Sequence, residues 1–443
     1  MSELQLPSRD ELDSAWRHER LYDICDIRTS NVDKKSQEDQ QWVRLCNYVD
    51  VYHNERITSE IPFMEATASE NEIERFTLGK GDVVITKDSE SADDIGVPAV
   101  VAEVIDQLVC GYHLTVLRPD TTQVVGPFLN YALSSRLSSH QFHLAANGVT
   151  RFGLTYQGTK NVRIFVPPLA EQERIASFLD WKTGEIDRLI AKKRALISAL
   201  AEKRMAVITQ AVTRGLDPNA PLKETGIPWL GKVPEHWDTV PLGFLVSISG
   251  GMTPSTGNPA FWKGEIPWVT PKDMKQERVE DSIDHLTEDA LAENSITLKP
   301  IGSVLCVVRG MILAHSFPVA INDQEVTINQ DMKALQCESR LQPEFLHRCL
   351  MGFADVFVAL ADTSAHGTKK IVTGTLKSFV VPVPPIKEQG EIVERLLHEL
   401  RRLDVLVDST NRTIDRLTEY RTALITAATT GKIDVRNVDI PVA

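Results

Sequence analysis

The chain has 443 residues, of which 25% are charged, and its net charge at pH 7 is −13, so it has room for two or three domains with ample cores. An acidic body opposes non-specific adhesion to nucleic acid, so any DNA binding has to come from local basic patches and from partner proteins. No apolar run reaches the roughly 18 residues of a membrane span, and the acidic start of the chain lacks the features of a signal peptide, so we expect a cytoplasmic protein without membrane association.

The first 165 residues predict a globular block of mixed α and β structure. Residues 81–86 form a short β-branched run typical of a buried strand, and residues 126–137 have the pattern of a short helix. A second block within residues 216–382 repeats this order, with a strand predicted over 302–308 and a helical element over 343–360. Because sequence identity between the blocks is low, we expect one shared fold with different surface residues.

A segment of 52 residues after the first block recurs after the second. Residues 166–217 align with residues 383–434 without a gap, at a constant offset of 217 residues, and 19 of the 52 pairs are identical. This period is far longer than the roughly 20 to 50 residues of a solenoid repeat. The chain is therefore interpreted as a pseudo-twofold internal repeat, in which two half-molecules each present an equivalent site.

Each repeated segment has the pattern of a long amphipathic helix, predicted over residues 166–215 and 383–431. Pro-Pro followed by an acidic residue and Gln is a sound helix start, and apolar residues then recur with a period between about 3.5 and 3.6. They include Ile175, Leu179, Ile186, Leu189, Leu196 and Ile208 in the first helix, and Ile392, Leu396, Leu403, Leu406 and Ile425 in the second. Such stripes need a partner, so we predict an antiparallel coiled coil roughly 65 Å long, with helix ends near Gly215 and Gly431.

The charge alternates along the chain. Residues 1–150 hold 13 Lys and Arg against 25 Asp and Glu, whereas residues 151–217 hold 12 against 7. Residues 218–365, which begin in a turn-rich linker, hold 11 against 19, and residues 366–443, which end in a tail from residue 432, hold 12 against 10. The basic segments are either patches directed at DNA or ordinary solvated surface charge.

The sequence offers no complete catalytic motif. Residues 226–233 imitate a phosphate-binding loop, but Val233 stands where a hydroxyl for Mg²⁺ is needed, and Pro228 removes a backbone donor. Asp-Met-Lys at residues 273–275 and 331–333 resembles part of a nuclease site without its upstream acidic partner. The cysteines form no Cys-x-x-Cys pair, so we expect reduced packing residues rather than a metal site. They are Cys25, Cys46, Cys110, Cys306, Cys337 and Cys349.

Glycine, threonine and basic residues recur together near the end of each block. The first block carries Thr150, Arg151 and Lys160, and the second carries Gly367, Thr368, Lys369 and Lys370. Glycine lets the backbone approach a phosphate, threonine donates a hydroxyl, and a cation neutralises a phosphate or contacts guanine. Each turn alone could be an ordinary glycine turn with a solvated cation, but the recurrence favours DNA contact. Further candidates are Thr253, Lys272 and Arg309.

With these features together, the chain resembles the DNA-specificity subunit of a type I restriction-modification system. The resemblance covers nearly the whole chain and is carried by VPPLAEQERI at 166–175, VPPIKEQGEI at 383–392 and IPWLGKVPEHW at 227–237. The first block lacks a counterpart of the last motif. The resemblance implies an α+β fold, in which two mixed α/β target-recognition domains are separated by two long antiparallel coiled-coil helices.

The resemblance also implies a function and partners. It implies a bipartite double-stranded DNA target whose halves are separated by a gap that the helix pair sets, and no catalysis by this chain. Two methyltransferase subunits and, in the complete enzyme, restriction/translocase subunits would bind it and use S-adenosylmethionine, ATP and Mg²⁺. The alternatives are a coiled-coil scaffold or adaptor that binds two protein partners without DNA and, more distantly, a self-sufficient nuclease or methyltransferase.

Overall fold

The first half of the chain forms a block of strands and short helices followed by one long helix. The computed structural model describes residues 15–363 and 368–441. The elements of the first half are β1 (Arg17–Arg20), α1 (Leu21–Ile24), β2 (Cys25–Thr29), β3 (Gln41–Cys46), α2 (Tyr48–Tyr52), β4 (Arg56–Ile57), β5 (Met64–Ala68), α3 (Glu70–Phe76), β6 (Val83–Thr86), β7 (Asp88–Ser89), β8 (Pro98–Val101), β9 (Leu108–Cys110), β10 (Leu114–Pro119), α4 (Gly126–Leu133), α5 (Arg136–Ala145), β11 (Ala146–Gly148), β12 (Phe152–Leu154), α6 (Tyr156–Lys160), β13 (Arg163–Val166) and α7 (Leu169–Arg214).

The second half repeats this succession after a linker hairpin. The hairpin and the elements that follow it are β14 (Leu222–Glu224), β15 (Lys232–Pro234), β16 (Asp238–Pro241), β17 (Val246–Gly250), β18 (Trp262–Val269), β19 (Arg278–Val279), β20 (Asp284–Leu286), α8 (Glu288–Asn294), β21 (Val304–Val307), β22 (Arg309–Gly310), β23 (Val319–Asn322), β24 (Thr327–Ile328), β25 (Met332–Cys337), α9 (Pro343–Gly352), α10 (Ala354–Leu360), β26 (Asp362–Thr363), β27 (Lys369–Lys370), α11 (Thr373–Ser378), β28 (Val380–Val383) and α12 (Ile386–Thr429).

Each block is built on a five-stranded sheet of the same order, β2-β10-β6-β8-β4 in the first and β17-β25-β21-β23-β19 in the second. The edge strands β4 and β19 run parallel to β8 and β23, and the other neighbours are antiparallel. The middle strands β6 and β21 are mainly apolar and buried at every position, as expected for strands covered on both faces. The strands predicted within residues 81–86 and 302–308 are confirmed.

Smaller sheets match between the blocks as well. Three-stranded sheets have the order β5-β3-β9 and β20-β18-β24, and a second pair has the order β11-β12-β7 and β26-β27-β22. Each block is closed by the pairing of its first and last strands, β1 with β13 and β16 with β28. A tryptophan precedes each first strand, and Trp16 and Trp237 both pack against the core of their own block. The last residue of the IPWLGKVPEHW motif therefore has a counterpart in the first block.

A buried glutamine fixes the start of α7. The side chain of Gln172 has no exposed surface, and its Nε2 donates to the carbonyl oxygens of Gln123 and Pro167, both at 2.8 Å. Its Oε1 accepts from the backbone N–H of Val125 at 2.9 Å, at the start of α4. The side chain thereby satisfies three backbone groups that the loop between strand and helix would otherwise bury unpaired.

The same arrangement recurs at the start of α12. The buried Gln389 donates to the carbonyl oxygens of Arg340 and Pro384, both at 2.9 Å, and accepts from the N–H of Gln342 at 2.9 Å. The repeated Glu-Gln pair of the sequence thus joins each long helix to the first helix of the pair α4–α5 or α9–α10 in its block. The helices also end alike, because Gly215 and Gly431 both adopt a φ of 73°, the left-handed conformation that glycine favours and that the sequence predicts there.

The chain forms two units, residues 1–194 with 411–443 and residues 195–410. In the first unit Arg174 donates to the carbonyl of Val435 at 3.3 Å, and Arg421 donates to Asp187 at 3.0 Å, so the segments of α7 and α12 run antiparallel. In the second unit Arg204 contacts Asp404 at 2.6 Å. The predicted fold class is confirmed. The domain boundaries predicted after residues 165, 215, 382 and 431 stay predictions, since the units divide within the helices.

The apolar stripe is buried near the ends of the helices and exposed in part of their middle. Ile175, Leu179 and Ile186 are buried in the first unit, and Ile208 and Ile392 in the second. The exposed members are Leu189, Leu196 and Leu406. The prediction that the whole stripe is buried is therefore wrong for these three residues, because the blocks cover only the helical segments next to them.

Loss of the buried glutamine should destabilise the fold. We expect Gln172→Ala to lower the free energy of unfolding by about 2–4 kcal/mol, since it leaves backbone groups buried without partners. Gln389→Ala should have a similar effect, measured by urea denaturation. The exposed neighbour supplies a control, because Glu173→Ala should stay within about 0.5 kcal/mol of the wild type. A loss below about 1 kcal/mol for both glutamine variants would contradict this role.

Candidate nucleic-acid interface

The turn that carries Thr150 and Arg151 joins β11 to β12 in a hairpin. Gly148 has a φ of 146°, and a Cβ atom there would lie 1.9 Å from the carbonyl oxygen of Arg151, so the turn requires glycine. Val149, Thr150 and Arg151 are all exposed. The hairpin therefore presents a hydroxyl and a guanidinium group to solvent.

Arg151 is held loosely by a histidine that also contacts an aspartate. Its Nη2 lies 3.3 Å from Nδ1 of His113, and the same Nδ1 lies 2.8 Å from a carboxylate oxygen of Asp88. One nitrogen cannot serve both partners, because it donates to Asp88 when protonated and accepts from Arg151 only when it is not. The guanidinium can therefore leave this contact at little cost when an external acceptor approaches.

The groove beside Arg151 has walls of phenols and carboxylates. It encloses about 620 Å³, and its lining includes Tyr48, Tyr52, Asp88, Glu90, Asp94 and Thr150. The hydroxyl of Tyr52 donates to Asp94 at 2.6 Å, and this bond raises the pKa of Tyr52. Carboxylates repel phosphates but accept hydrogen bonds from the amino groups of bases. The groove is thus suited to base edges rather than to the DNA backbone.

Lys160 ends α6 and lies between two aromatic rings. Its ammonium nitrogen is 5.2 Å from the ring centroid of Tyr22 and 5.7 Å from that of Tyr156. Both rings are about half exposed. Cation–π contact at an exposed site contributes roughly 0.5–1 kcal/mol and leaves the charge accessible. Lys160 is therefore a preoriented surface cation, and the sequence analysis revealed neither its helix nor its tyrosines.

The second block brings three of its candidate cations onto one small sheet. Arg309 in β22 lies directly opposite Lys370 in β27, and Lys369 lies opposite Gly310. On its other side, Lys370 faces Asp362. Like charges directly opposite each other destabilise a sheet, and an anion at this position would relieve the repulsion. Lys369 is partly held by the carbonyl oxygen of Ala361, 3.4 Å from its Nζ.

The remaining candidates of the second block take different positions. Thr253 donates to the side chain of Gln330, and the backbone N–H of Arg309 donates to the neighbouring carbonyl of Asp331 at 3.1 Å, so both flank one turn. Lys272 is exposed on the turn after β18 and lines a separate groove of about 350 Å³ whose charges are mixed in sign. Thr368 directly precedes β27, and Gly367 lies outside the described residues.

Arg151 of the first block and the lysines of β27 in the second block do not occupy equivalent positions. Gly153 pairs with Asp88 in the first block, and Lys370 pairs with Arg309 in the second. Gly153 and Lys370 therefore occupy equivalent positions in the two small sheets. Arg151 therefore corresponds to Thr368, as the repeat offset of 217 residues also gives. The sequence analysis matched the two turns by their glycine-threonine steps, whereas the strand pairing places their cations one to two residues apart.

Several residues of this surface escaped the sequence analysis. His113 and Asp88 belong to no local motif, and they meet Arg151 only through strand pairing. A signal for Asp88 did exist, because it follows β6 at the same spacing at which Arg309 follows β21. Aspartate and arginine thus hold one place in the two small sheets, so the blocks present opposite charges there.

The cysteines pack as predicted. All six are free, and burial raises the pKa of Cys25 and Cys306 to about 12, which keeps these thiols protonated and unreactive. Within residues 15–363 and 368–441, no group of three or more His, Cys, Asp and Glu is placed to hold a metal ion. Over the same part of the chain, no helix has the length and apolarity to cross a membrane.

Known proteins resemble the chain in both sequence and fold. The EcoR124I/EcoR124II type I restriction enzyme specificity subunit of Escherichia coli is 34% identical over 187 residues, which are 42% of this chain and 45% of that protein. The putative type I restriction enzyme MjaX specificity subunit of Methanocaldococcus jannaschii is 23% identical over 442 residues, 96% of this chain and 95% of that protein. The alignment thus spans less than half of the first relative and nearly all of the second.

Two solved structures share the fold. One, from work on the assembly and conformational transition of the type I R-M system, has a TM-score of 0.73 at 17% identity and covers 97% of this chain and 100% of its own. The HsdS subunit of Thermoanaerobacter tengcongensis has a TM-score of 0.53 at 17% identity, with 98% and 99% covered.

A family model described as type I restriction modification DNA specificity domain matches the chain twice, over residues 13–199 and 234–418. Each match takes in one block and part or most of the long helix that follows it. Because the two matches together span far more than half of its length, the chain belongs to the family of type I restriction-modification DNA specificity domain proteins.

Proposed function

We propose that this chain is the DNA-specificity subunit of a type I restriction-modification complex and that its two blocks recognise the two halves of a bipartite duplex target. One observation carries the proposal: the blocks share every sheet order, while the same small sheet presents Asp88 in one and Arg309 in the other. A shared fold with different polar groups at one place is what two recognition domains for different sequences require.

The small sheets of the two blocks suit different kinds of contact. In the first block, Arg151 stands beside carboxylates and phenols, a setting that favours hydrogen bonds with base edges and disfavours phosphates. In the second block, Arg309, Lys369 and Lys370 concentrate positive charge, which favours the phosphate backbone. We therefore assign base recognition to Arg151 and backbone contact to the pair Lys369 and Lys370.

The proposal gives catalysis to partner subunits. Two methyltransferase subunits would bind S-adenosylmethionine, and restriction/translocase subunits would use ATP and Mg²⁺. We assign contact with these partners to the exposed apolar residues of the long helices, which include Leu189, Leu196, Val405 and Leu406. The helices would also set the spacer between the half-sites. The adaptor alternative shares these partners but requires no DNA binding.

A gel-shift titration tests the proposal against the adaptor. The chain co-expressed with a type I methyltransferase subunit should shift a pool of random-sequence duplexes and, after repeated selection, enrich two short sequences at a fixed spacing. The same complex should transfer methyl groups from S-adenosylmethionine to the enriched site. A stable protein complex that neither shifts nor enriches any duplex would favour the adaptor instead.

The pair Lys369 and Lys370 should act through phosphates. We expect Lys369→Ala with Lys370→Ala to weaken binding on all sequences and to reduce the slope of log affinity against log salt by about 1.8, roughly 0.9 for each lost contact. Fluorescence anisotropy over a range of salt concentrations measures this. Lys232→Ala is the control, since that ammonium is paired with Glu224 at 2.9 Å on the linker hairpin. An unchanged slope in a folded double variant refutes the contact.

Arg151 should discriminate between sequences. Arg151→Ala should cost about 1–3 kcal/mol on the enriched site and little on random duplexes, because a guanidinium that contacts a base edge contributes only where that base is present. Arg20→Ala in the same block is the control, as its guanidinium is already paired with Asp23 at 2.8 Å. Equal losses on both kinds of duplex would show that Arg151 contacts phosphate, and no loss would remove it from the interface.

A further inference from the structure

One arginine of each long helix joins two carboxylates from different elements. In the second unit, Arg204 of α7 donates through Nη1 to Asp404 of α12 and through Nη2 to Glu277, both at 2.6 Å. The two acceptors belong to the other long helix and to the block. A single guanidinium group thus connects three parts of the unit.

The first unit contains the same connection with the helices exchanged. Arg421 of α12 donates through Nε to Asp187 of α7 at 3.0 Å and through Nη2 to both carboxylate oxygens of Glu55 at 2.6 Å. Arg204 and Arg421 are equivalent in the sequence repeat, as are Asp187 and Asp404. We call the two groups, Arg204-Asp404-Glu277 and Arg421-Asp187-Glu55, the arginine bridges.

The carboxylates on the block side are tied to the central sheets. Glu55 and Glu277 directly precede the edge strands β4 and β19. The carbonyl of Glu55 accepts from the N–H of Val100 at 3.1 Å, and that of Glu277 accepts from the N–H of Ile321 at 3.0 Å. Each bridge therefore ends on backbone that the five-stranded sheet already holds, so it transmits the position of the helix pair to the sheet.

The arginine side chains of the bridges are mostly buried, so solvent screens their interactions with the carboxylates only partly. The side chains of Arg204 and Arg421 are only 25% and 15% exposed. Burial alone would lower the pKa of Arg421, but Glu55 and Asp187 outweigh it and the pKa is raised. Burial alone would likewise raise the pKa of Glu277, but Arg348 and Arg204 hold it below its usual value. Both shifts favour the ionised forms of Arg421 and Glu277, and the planar guanidinium groups fix the directions of their partners.

Each bridge lies one turn before the buried end of its long helix. Ile208, one turn after Arg204, and Ile425, one turn after Arg421, are both buried in the core of their unit. Apolar contacts are non-directional and allow one surface to slide over another. Two hydrogen-bonded ion pairs on one planar guanidinium group allow much less movement. The bridges therefore fix the orientation of each helix relative to its block at the edge of the core.

We propose that Arg204 and Arg421 are positioning residues that fix each recognition block on the helix pair and thereby restrict the spacer length accepted between half-sites. This inference rests on the proposed function. It concerns neither base contacts nor partner binding, so the sequences of the half-sites should not depend on the bridges.

Each block keeps other polar ties when its bridge is lost. Arg348, nearly buried, pairs with Glu277 at 2.6 Å through its own guanidinium, so we expect this pair to persist when Arg204 is replaced. The first block has Tyr131 at the position of Arg348, and its hydroxyl donates to Asp180 of α7 at 2.7 Å. Arg56 also pairs with Asp180. Variants of either bridge should therefore remain folded, with a block less tightly oriented.

The experiment selects bound duplexes from a random-sequence pool, using the full chain with its methyltransferase subunits, and sequences them. The wild type should enrich two half-sites at one dominant spacing. Arg204→Ala and Arg421→Ala should enrich the same half-sites, while the share of spacers one base pair longer or shorter rises about fivefold, which corresponds to roughly 1 kcal/mol of lost discrimination. Arg204→Lys should behave like the alanine variant, because one ammonium cannot hold both carboxylates in a fixed geometry.

The control is Arg188→Ala, which removes an exposed arginine of α7 whose Nε donates to the carbonyl of Gly184 in its own helix at 3.1 Å. It should leave the spacer distribution unchanged. Circular dichroism checks folding, and Glu277→Gln, which keeps the shape of the side chain, replaces any variant that fails it. A wild-type spacer distribution in folded bridge variants overturns the inference alone. Failure of the wild type to enrich any bipartite site overturns the proposed function and the inference together.

Discussion

Neither long helix can bury its apolar stripe alone, and this constraint organises the whole chain. The start of α7 finds its partner in the end of α12, and the start of α12 finds its partner in the end of α7. The first unit is therefore completed by residues 411–443, more than 200 residues after its block. Two blocks that look sequential in the sequence are thus mutually dependent, since each needs both helices to cover its core.

Duplication with divergence explains the distribution of similarity along the chain. The helices keep the residues that join them to each other and to the blocks, namely Gln172 and Gln389, Asp187 and Asp404, Arg204 and Arg421. The blocks keep the order of their sheets but replace what the sheets present, so that Asp88 and Arg309 occupy one place. The residues that hold the elements together therefore lie on the helices, whereas the residues that would contact a ligand lie on the small sheets of the blocks.

Part of the basic charge of the helical segments is committed within the protein. Arg204 and Arg421 bind carboxylates, Arg174 binds backbone carbonyls, and Lys182 pairs with Glu185. These residues do not contribute to a surface for DNA, although they add to the excess of Lys and Arg over Asp and Glu in the helical segments. Strands also bring cations together, as in Arg309 and Lys370.

The sequence by itself determined the repeat, the ends of both helices, the buried strands and the glycine turn of the first block, because these depend on local periodicity, capping and turn chemistry. It did not determine which cations meet. Arg309 faces Lys370 from 61 positions away, and Arg151 meets His113, which itself contacts Asp88, through strand pairings that no local pattern encodes. The arginine bridges were equally hidden, since each joins residues more than 70 positions apart. Only tertiary structure decided these contacts, because strand register and helix pairing set which distant side chains share a surface.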